Sequence, residues 1–171
     1  MNMKWCFWMQ INSLPQRRSP RLPGWDYSTP GAYFVTVCTK NRRNLFAPVG
    51  ADSISARMVE RIFLETIGAY RGVEAPKYVV MPNHFHAIIT IERADMESAP
   101  TIPQIMQTFK RHTTLAYIKM VKANILPPFE GQIWQRSYHD HVIRDAAEYE
   151  RIWTYIDNNP ARWQEDCFYC E

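Results

Sequence analysis

Pro76-Lys77-Tyr78-Val79-Val80-Met81-Pro82-Asn83-His84-Phe85-His86-Ala87-Ile88-Ile89-Thr90-Ile91 reads as two β-strands folded back about Pro82-Asn83. Side chains alternate between faces along a strand, so His84 and His86 stand side by side. Phe85, Ala87 and Ile89 then point the other way, into a core. Two neutral imidazoles presented together form half of a divalent-metal site. The plainer reading is a hairpin strand that carries two surface histidines.

Working outward, Ala32-Tyr33-Phe34-Val35-Thr36-Val37-Cys38-Thr39 is β-branched and aromatic, a strand that ends at Lys40-Asn41-Arg42-Arg43. Asp52 or Ser53 caps a helix running to about Arg71. Its apolar residues Ile54, Met58, Ile62 and Val59, Phe63, Ile67 recur at helical spacing, and Gly72 ends it. The strand over residues 76–81 leads into the histidine strand. A second helix spans about Ile102 to Val121 and buries Ile105, Met106, Phe109, Leu115 and Ile118. Ser137 to Arg144 is a fourth strand. Asp145 and Glu148 have the spacing of a capping box, and they open a last helix that stops near Asn159, before Pro160. The order β-α-β-β-α-β-α predicts an α+β, ferredoxin-like antiparallel sheet with an additional C-terminal helix. Two helices cover one face of such a sheet, and the histidines belong to the other.

The chain has 171 residues, enough for one domain with a real core. With 46% hydrophobic and 22% charged residues it is globular, neither disordered nor fibrous. The net charge of +3 is compatible with a phosphate ligand without demanding one. Basic residues gather at Arg17, Arg18 and Arg21, at Arg42 and Arg43, and at Lys110 and Arg111; singly, each cluster reads as solvated charge. Residues 1–30 form an extended, proline-punctuated basic arm, residues 31–163 the folded domain and residues 164–171 a tail. Cys38 reads as a small buried hydrophobe; Cys167 and Cys170 have half the spacing of a zinc site but no second pair, and the tail is their plainer setting. The chain is no disulfide scaffold, and the apolar stretch Met1 to Ile11 is too short to span a bilayer, so a cytoplasmic protein is expected.

Tyr155 and Asn159 lie four residues apart on the last helix and therefore project from one face. Laid across the open side of the sheet, that helix brings both to His84 and His86. A phenol, with a pKa of about 10, is a weak nucleophile until a cation neutralises the phosphate it attacks. Two imidazoles and the Asn159 carboxamide oxygen leave coordination positions open and suit Mg²⁺ or Mn²⁺ better than a closed zinc site. A rival pair, His139 and His141, flanks Asp140, whose carboxylate is costly on a core face. His139 and His141 are thus left to support the metal ligands, to contact phosphate, or to lie at the surface.

His84-Phe85-His86 resembles the His-hydrophobe-His motif of single-tyrosine HUH nucleases. Met81-Pro82-Asn83-His84-Phe85-His86, Trp134 to Arg144 and Tyr155-Ile156-Asp157-Asn158-Asn159-Pro160 together resemble the REP-associated tyrosine transposases. The likeness covers about residues 18–163. It implies a transposase and endonuclease that cleaves and rejoins single-stranded DNA at REP-like hairpins, as a monomer or a homodimer. Tyr155 is then the nucleophile that forms a 5′-phosphotyrosine, and His84, His86 and Asn159 hold Mg²⁺ or Mn²⁺. Related enzymes often have glutamine where Asn159 stands. The resemblance also implies DNA contacts from Arg17, Arg18, Arg21, Trp25, Tyr27, Arg42, Arg43, Lys110, Arg111, Arg136 and His141. No residue stands out as the base for the phenolic proton. The alternatives are a non-catalytic ferredoxin-like nucleic-acid binder, which lacks its stacking aromatics here, and a phosphodiesterase in which water attacks.

Overall fold

The protein is described by a computed structural model covering residues 24–47, 53–92 and 100–170. Among these residues the elements are β1 (Gly31–Cys38), α1 (Ile54–Gly68), β2 (Val73–Val80), β3 (His84–Ile91), α2 (Ile102–Lys122), β4 (His139–Ile143) and α3 (Ala146–Asn158). The strands form one antiparallel sheet in the order β2-β3-β1-β4. This is the ferredoxin-like arrangement that the element order predicts. The basic arm before residue 24, with Arg17, Arg18 and Arg21, lies outside the described residues.

Local chemistry sets the element ends. Ser53 caps α1 by accepting from the Ala56 N–H at 3.0 Å. The helix stops at Gly68, short of Arg71, and Gly72 (φ +72) turns the chain into β2. β2 starts at Val73 rather than Pro76, because its register on β3 shifts between Glu74 and Lys77. A bulge there accommodates Pro76, which has no N–H for the ladder, and the strand continues across it. On α2 the buried stripe is Ile102, Ile105, Met106, Phe109, Thr113 and Tyr117. Leu115, expected inside, is 49% exposed, because it falls between Thr113 and Tyr117 on the opposite side.

Phe85 is fully buried under α1 and α2, with ring centroids 4.6 Å from Phe63 and 5.1 Å from Phe109. The other face of the sheet is covered by α3. Ile152 and Ile156 pack there against Phe34 and Ile88. Polar clamps hold the helix at both ends: Lys77 of β2 donates to Asp157, and His141 of β4 pairs with Glu148 at 2.8 Å. Asp145 accepts from the Glu148 N–H at 2.7 Å, as the capping box requires. The reciprocal half is missing, because Glu148 turns to His141 and to the Arg144 N–H at 2.9 Å. Among the described residues no helix is long and apolar enough to cross a membrane.

Replacing Phe85 by alanine empties the contact between β3 and both helices. Chemical denaturation should show a loss of about 3–5 kcal/mol, and a loss below about 1 kcal/mol would contradict this role for the ring.

Candidate metal and nucleophile site

Strand register places the site. Thr36 of β1 lies opposite both His86 of β3 and His139 of β4, and Cys38 lies opposite His84. All of these share the face covered by α3. The two imidazoles meet edge to face with centroids 4.5 Å apart, and they are 0% and 1% exposed. The Tyr155 hydroxyl reaches from α3 to within 3.2 Å of His86 Nε2. Phe34 positions both groups, stacking on His86 at 5.3 Å and meeting Tyr155 edge-on at 6.1 Å.

The outer nitrogen of each imidazole is fixed by a neighbour. Asn83 uses its Nδ2 to donate to the Phe168 carbonyl at 2.8 Å and the Arg42 carbonyl at 3.2 Å, so its Oδ1 is the acceptor for His84 Nδ1 at 2.9 Å. His84 therefore carries its proton on Nδ1 and turns a lone pair inward at Nε2, which has no hydrogen-bond partner. His86 Nδ1 meets Thr36 Oγ1 at 2.8 Å. Its Nε2 faces the Tyr155 hydroxyl, so both ring nitrogens of His86 are held by oxygen neighbours. Such fixing of the remote nitrogen is what metal-ligating histidines need. Burial pushes the His84 pKa well below the usual histidine range, helped by His86 and Arg42, and holds His86 down to about 3. Both rings stay neutral, as ligands must.

Asn159 directly follows α3, is 4% exposed, and has no hydrogen-bond partner at Oδ1. Its Nδ2 donates to Asp166 Oδ2 at 2.9 Å. Asp166 was not legible as a site residue; it follows the 3-10 turn Pro160–Glu165 and lies 4.0 Å from His84 Nε2. Ligand atoms of His84, His86 and Asp166 all fall within 4.8 Å of one another, a separation that a single cation spans with modest contraction. Phe168 closes the site, its ring 4.6 Å from His84. Cys170 anchors this segment, its thiol donating to the Arg42 carbonyl at 2.9 Å. Residues 164–170 thus pack against the histidines.

The other expected residues are dispersed. His141 is tied to Glu148 on α3, whereas His139 is exposed on the same sheet face. Tyr27 is buried in the core with its ring against Tyr33, so it presents no free face for stacking. Trp25 is partly exposed and donates weakly to the Tyr33 hydroxyl at 3.4 Å. Arg43 ties loops together through the Glu130 and Gln132 carbonyls at 3.0 and 2.7 Å. Lys110 does the same through those of Gln135 and Arg136, at 2.6 and 3.0 Å. Arg42 donates to the Cys167 carbonyl at 3.1 Å, and it lines an open basic cleft with Lys40, Asn41, Gln135, Arg136 and Ser137. Arg111 is exposed on α2.

Fold and site together define a ferredoxin-like domain built around a histidine pair and a helix-borne tyrosine. The family model described as IS200-like transposase matches residues 29–159, and the chain belongs to that family. It is 29% identical to an uncharacterised protein of Haemophilus influenzae, over 91% of this chain and 94% of that one. It is 24% identical to the REP-associated tyrosine transposase of Escherichia coli K12, over 80% and 70% of the two chains. Among solved structures it is similar in fold to a REP-associated tyrosine transposase bound to a REP hairpin, with TM-score 0.60 and 19% identity over 84% and 74% of the chains.

A histidine that is neutral in the fold and protonated when unfolded makes acid destabilising. His86 binds its proton in the unfolded chain below about 6.5 but in the fold only near 3, so its share of stability is whole above 6.5 and lost between those limits. Denaturation midpoints measured across that window should fall less steeply for His86→Gln than for the wild type. Equal slopes would contradict a neutral buried His86.

Proposed function

We propose that the protein is a metal-dependent, single-tyrosine transposase that cuts and rejoins single-stranded DNA beside REP-like hairpins. The observation that carries this reading is the Tyr155 hydroxyl 3.2 Å from Nε2 of buried His86, with the unpartnered Nε2 of His84 on the neighbouring ring. In the reaction, Tyr155 Oη bonds to the backbone phosphorus while the bond from phosphorus to the 3′ oxygen breaks. The phenol loses its proton and the departing 3′ oxygen gains one. The product is a 5′-phosphotyrosine and a free 3′-OH. The new ester preserves the bond energy, so attack by another 3′-OH rejoins a strand without a nucleotide cofactor.

Mg²⁺ or Mn²⁺, when held by His84 Nε2, His86 Nε2 and Asn159 Oδ1, supplies charge neutralisation for the scissile phosphate. The donors fit that group: two buried imidazoles, each held at Nδ1 by a neighbour, and a buried amide oxygen without a hydrogen-bond partner. Thr36 and Asn83 hold the two rings with Nε2 inward, and Phe34 holds Tyr155 alongside. The cleft at Lys40, Arg42 and Arg136 offers positive charge to the DNA backbone, as do Arg111 and the arm carrying Arg17, Arg18 and Arg21. A hairpin substrate is supported by the relative solved with a REP hairpin. The covering of the sheet face by α3 disfavours the alternative of a binder that stacks bases on open strands.

Incubation with a labelled single-stranded hairpin and Mn²⁺ should leave a protein–DNA adduct that survives denaturation. Tyr155→Phe should abolish it, whereas His84→Ala and His86→Ala should lose cleavage yet keep much of their DNA affinity, which backbone contacts dominate. An adduct that persists in Tyr155→Phe would overturn the nucleophile; cleavage without any adduct would mean that water attacks instead.

A further inference from the structure

We infer that Asp166 is itself a ligand of the cation, so that the segment after α3 supplies the one anionic donor of the site. This rests on the cation reading above and adds to it a residue outside the span matched by the family model. The argument begins with an electrostatic mismatch. His84 Nε2 and Asp166 Oδ2 are both electron-pair donors, both are buried, and they face each other across 4.0 Å without a hydrogen bond between them. Asn83 Oδ1 engages Nδ1 on the far side of the ring, so Nε2 is the atom turned toward the carboxylate, too far for a direct hydrogen bond. A cation placed between them would engage both.

Two ligand atoms bound to one ion at about 2.0–2.2 Å lie roughly 3 Å apart when adjacent and 4.4 Å apart when opposite. The 4.0 Å separation falls inside that range. The carboxylate is also held as ligating carboxylates are, by hydrogen bonds from its surroundings. Oδ2 accepts from Asn159 Nδ2 at 2.9 Å, and Oδ1 accepts from the Phe168 N–H at 2.6 Å. Asn159 therefore has two jobs on one carboxamide: its oxygen is left for the ion, and its nitrogen positions Asp166. Among the donors assembled here only Asp166 is a carboxyl group. Hard divalent cations gain affinity with each anionic oxygen, so its contribution is disproportionate.

The segment carrying Asp166 also places the Phe168 ring on His84 and the Phe168 carbonyl on Asn83. Binding of the ion and docking of this segment are consequently linked, each favouring the other.

Calorimetric titration of the DNA-free protein with Mn²⁺ tests the inference without reference to activity. The wild type should bind one ion, and Asp166→Asn should bind at least ten-fold more weakly, with its metal-free melting temperature near that of the wild type. Mn²⁺ should also raise the melting temperature of the wild type more than that of Asp166→Asn. If Asp166→Asn does not fold, Asp166→Ser keeps an acceptor for the turn and carries the same expectation. Wild-type affinity in a folded Asp166 variant, with affinity lost in His84→Ala, would overturn Asp166 as a ligand and leave the histidine site standing. Absence of a Mn²⁺ site that depends on His84 and His86 would overturn both.

Discussion

Phe85 between Phe63 and Phe109 is the packing on which the site depends. A strand cannot bury that ring under two helices without turning its neighbours on either side to the opposite face. His84 and His86 are placed by the same constraint that fills the core. A slip of one residue in β3 would put the imidazoles under α1 and α2 and the phenylalanine under α3. The register with β1 then brings Thr36 to His86, and the turn before β3 brings Asn83 to His84.

The fold accepts a cost at this site. It buries two imidazoles, keeps them neutral, and leaves His84 Nε2 and Asn159 Oδ1 without hydrogen bonds. Unpartnered buried polar atoms are uncommon in folded proteins, and they cluster where something else is to be bound. Beside them stands His86 with the hydroxyl of Tyr155, which α3 delivers across the sheet on an apolar stripe and two polar clamps.

Much of this architecture is readable in the sequence, because periodicity and register speak directly. Alternation around Phe85 announces the histidine face, and the spacing of Tyr155 and Asn159 announces a shared helix face. Other features carry no such signal. Asp166 and Phe168 follow Pro160 in a stretch without period, so nothing local says that the chain turns back over the strands. The partners of the imidazoles were closer to hand: Asn83 immediately precedes His84, and Thr36 sits opposite His86 once β1 pairs with β3. Positive charge was the least legible feature, since composition cannot separate a residue that meets DNA from one that ties loops together. Arg43 and Lys110 are occupied with backbone carbonyls, and Tyr27 with the core.

The central claim is that two inward Nε2 atoms, on rings held by Thr36 and Asn83, bind a cation beside Tyr155. The most direct measurement is anomalous diffraction from a crystal of the protein soaked in Mn²⁺. The account predicts one strong manganese peak at bonding distance from both Nε2 atoms, with the Tyr155 hydroxyl next to it. A soaked crystal with no peak there, or with manganese at the Cys167 and Cys170 segment instead, would contradict it.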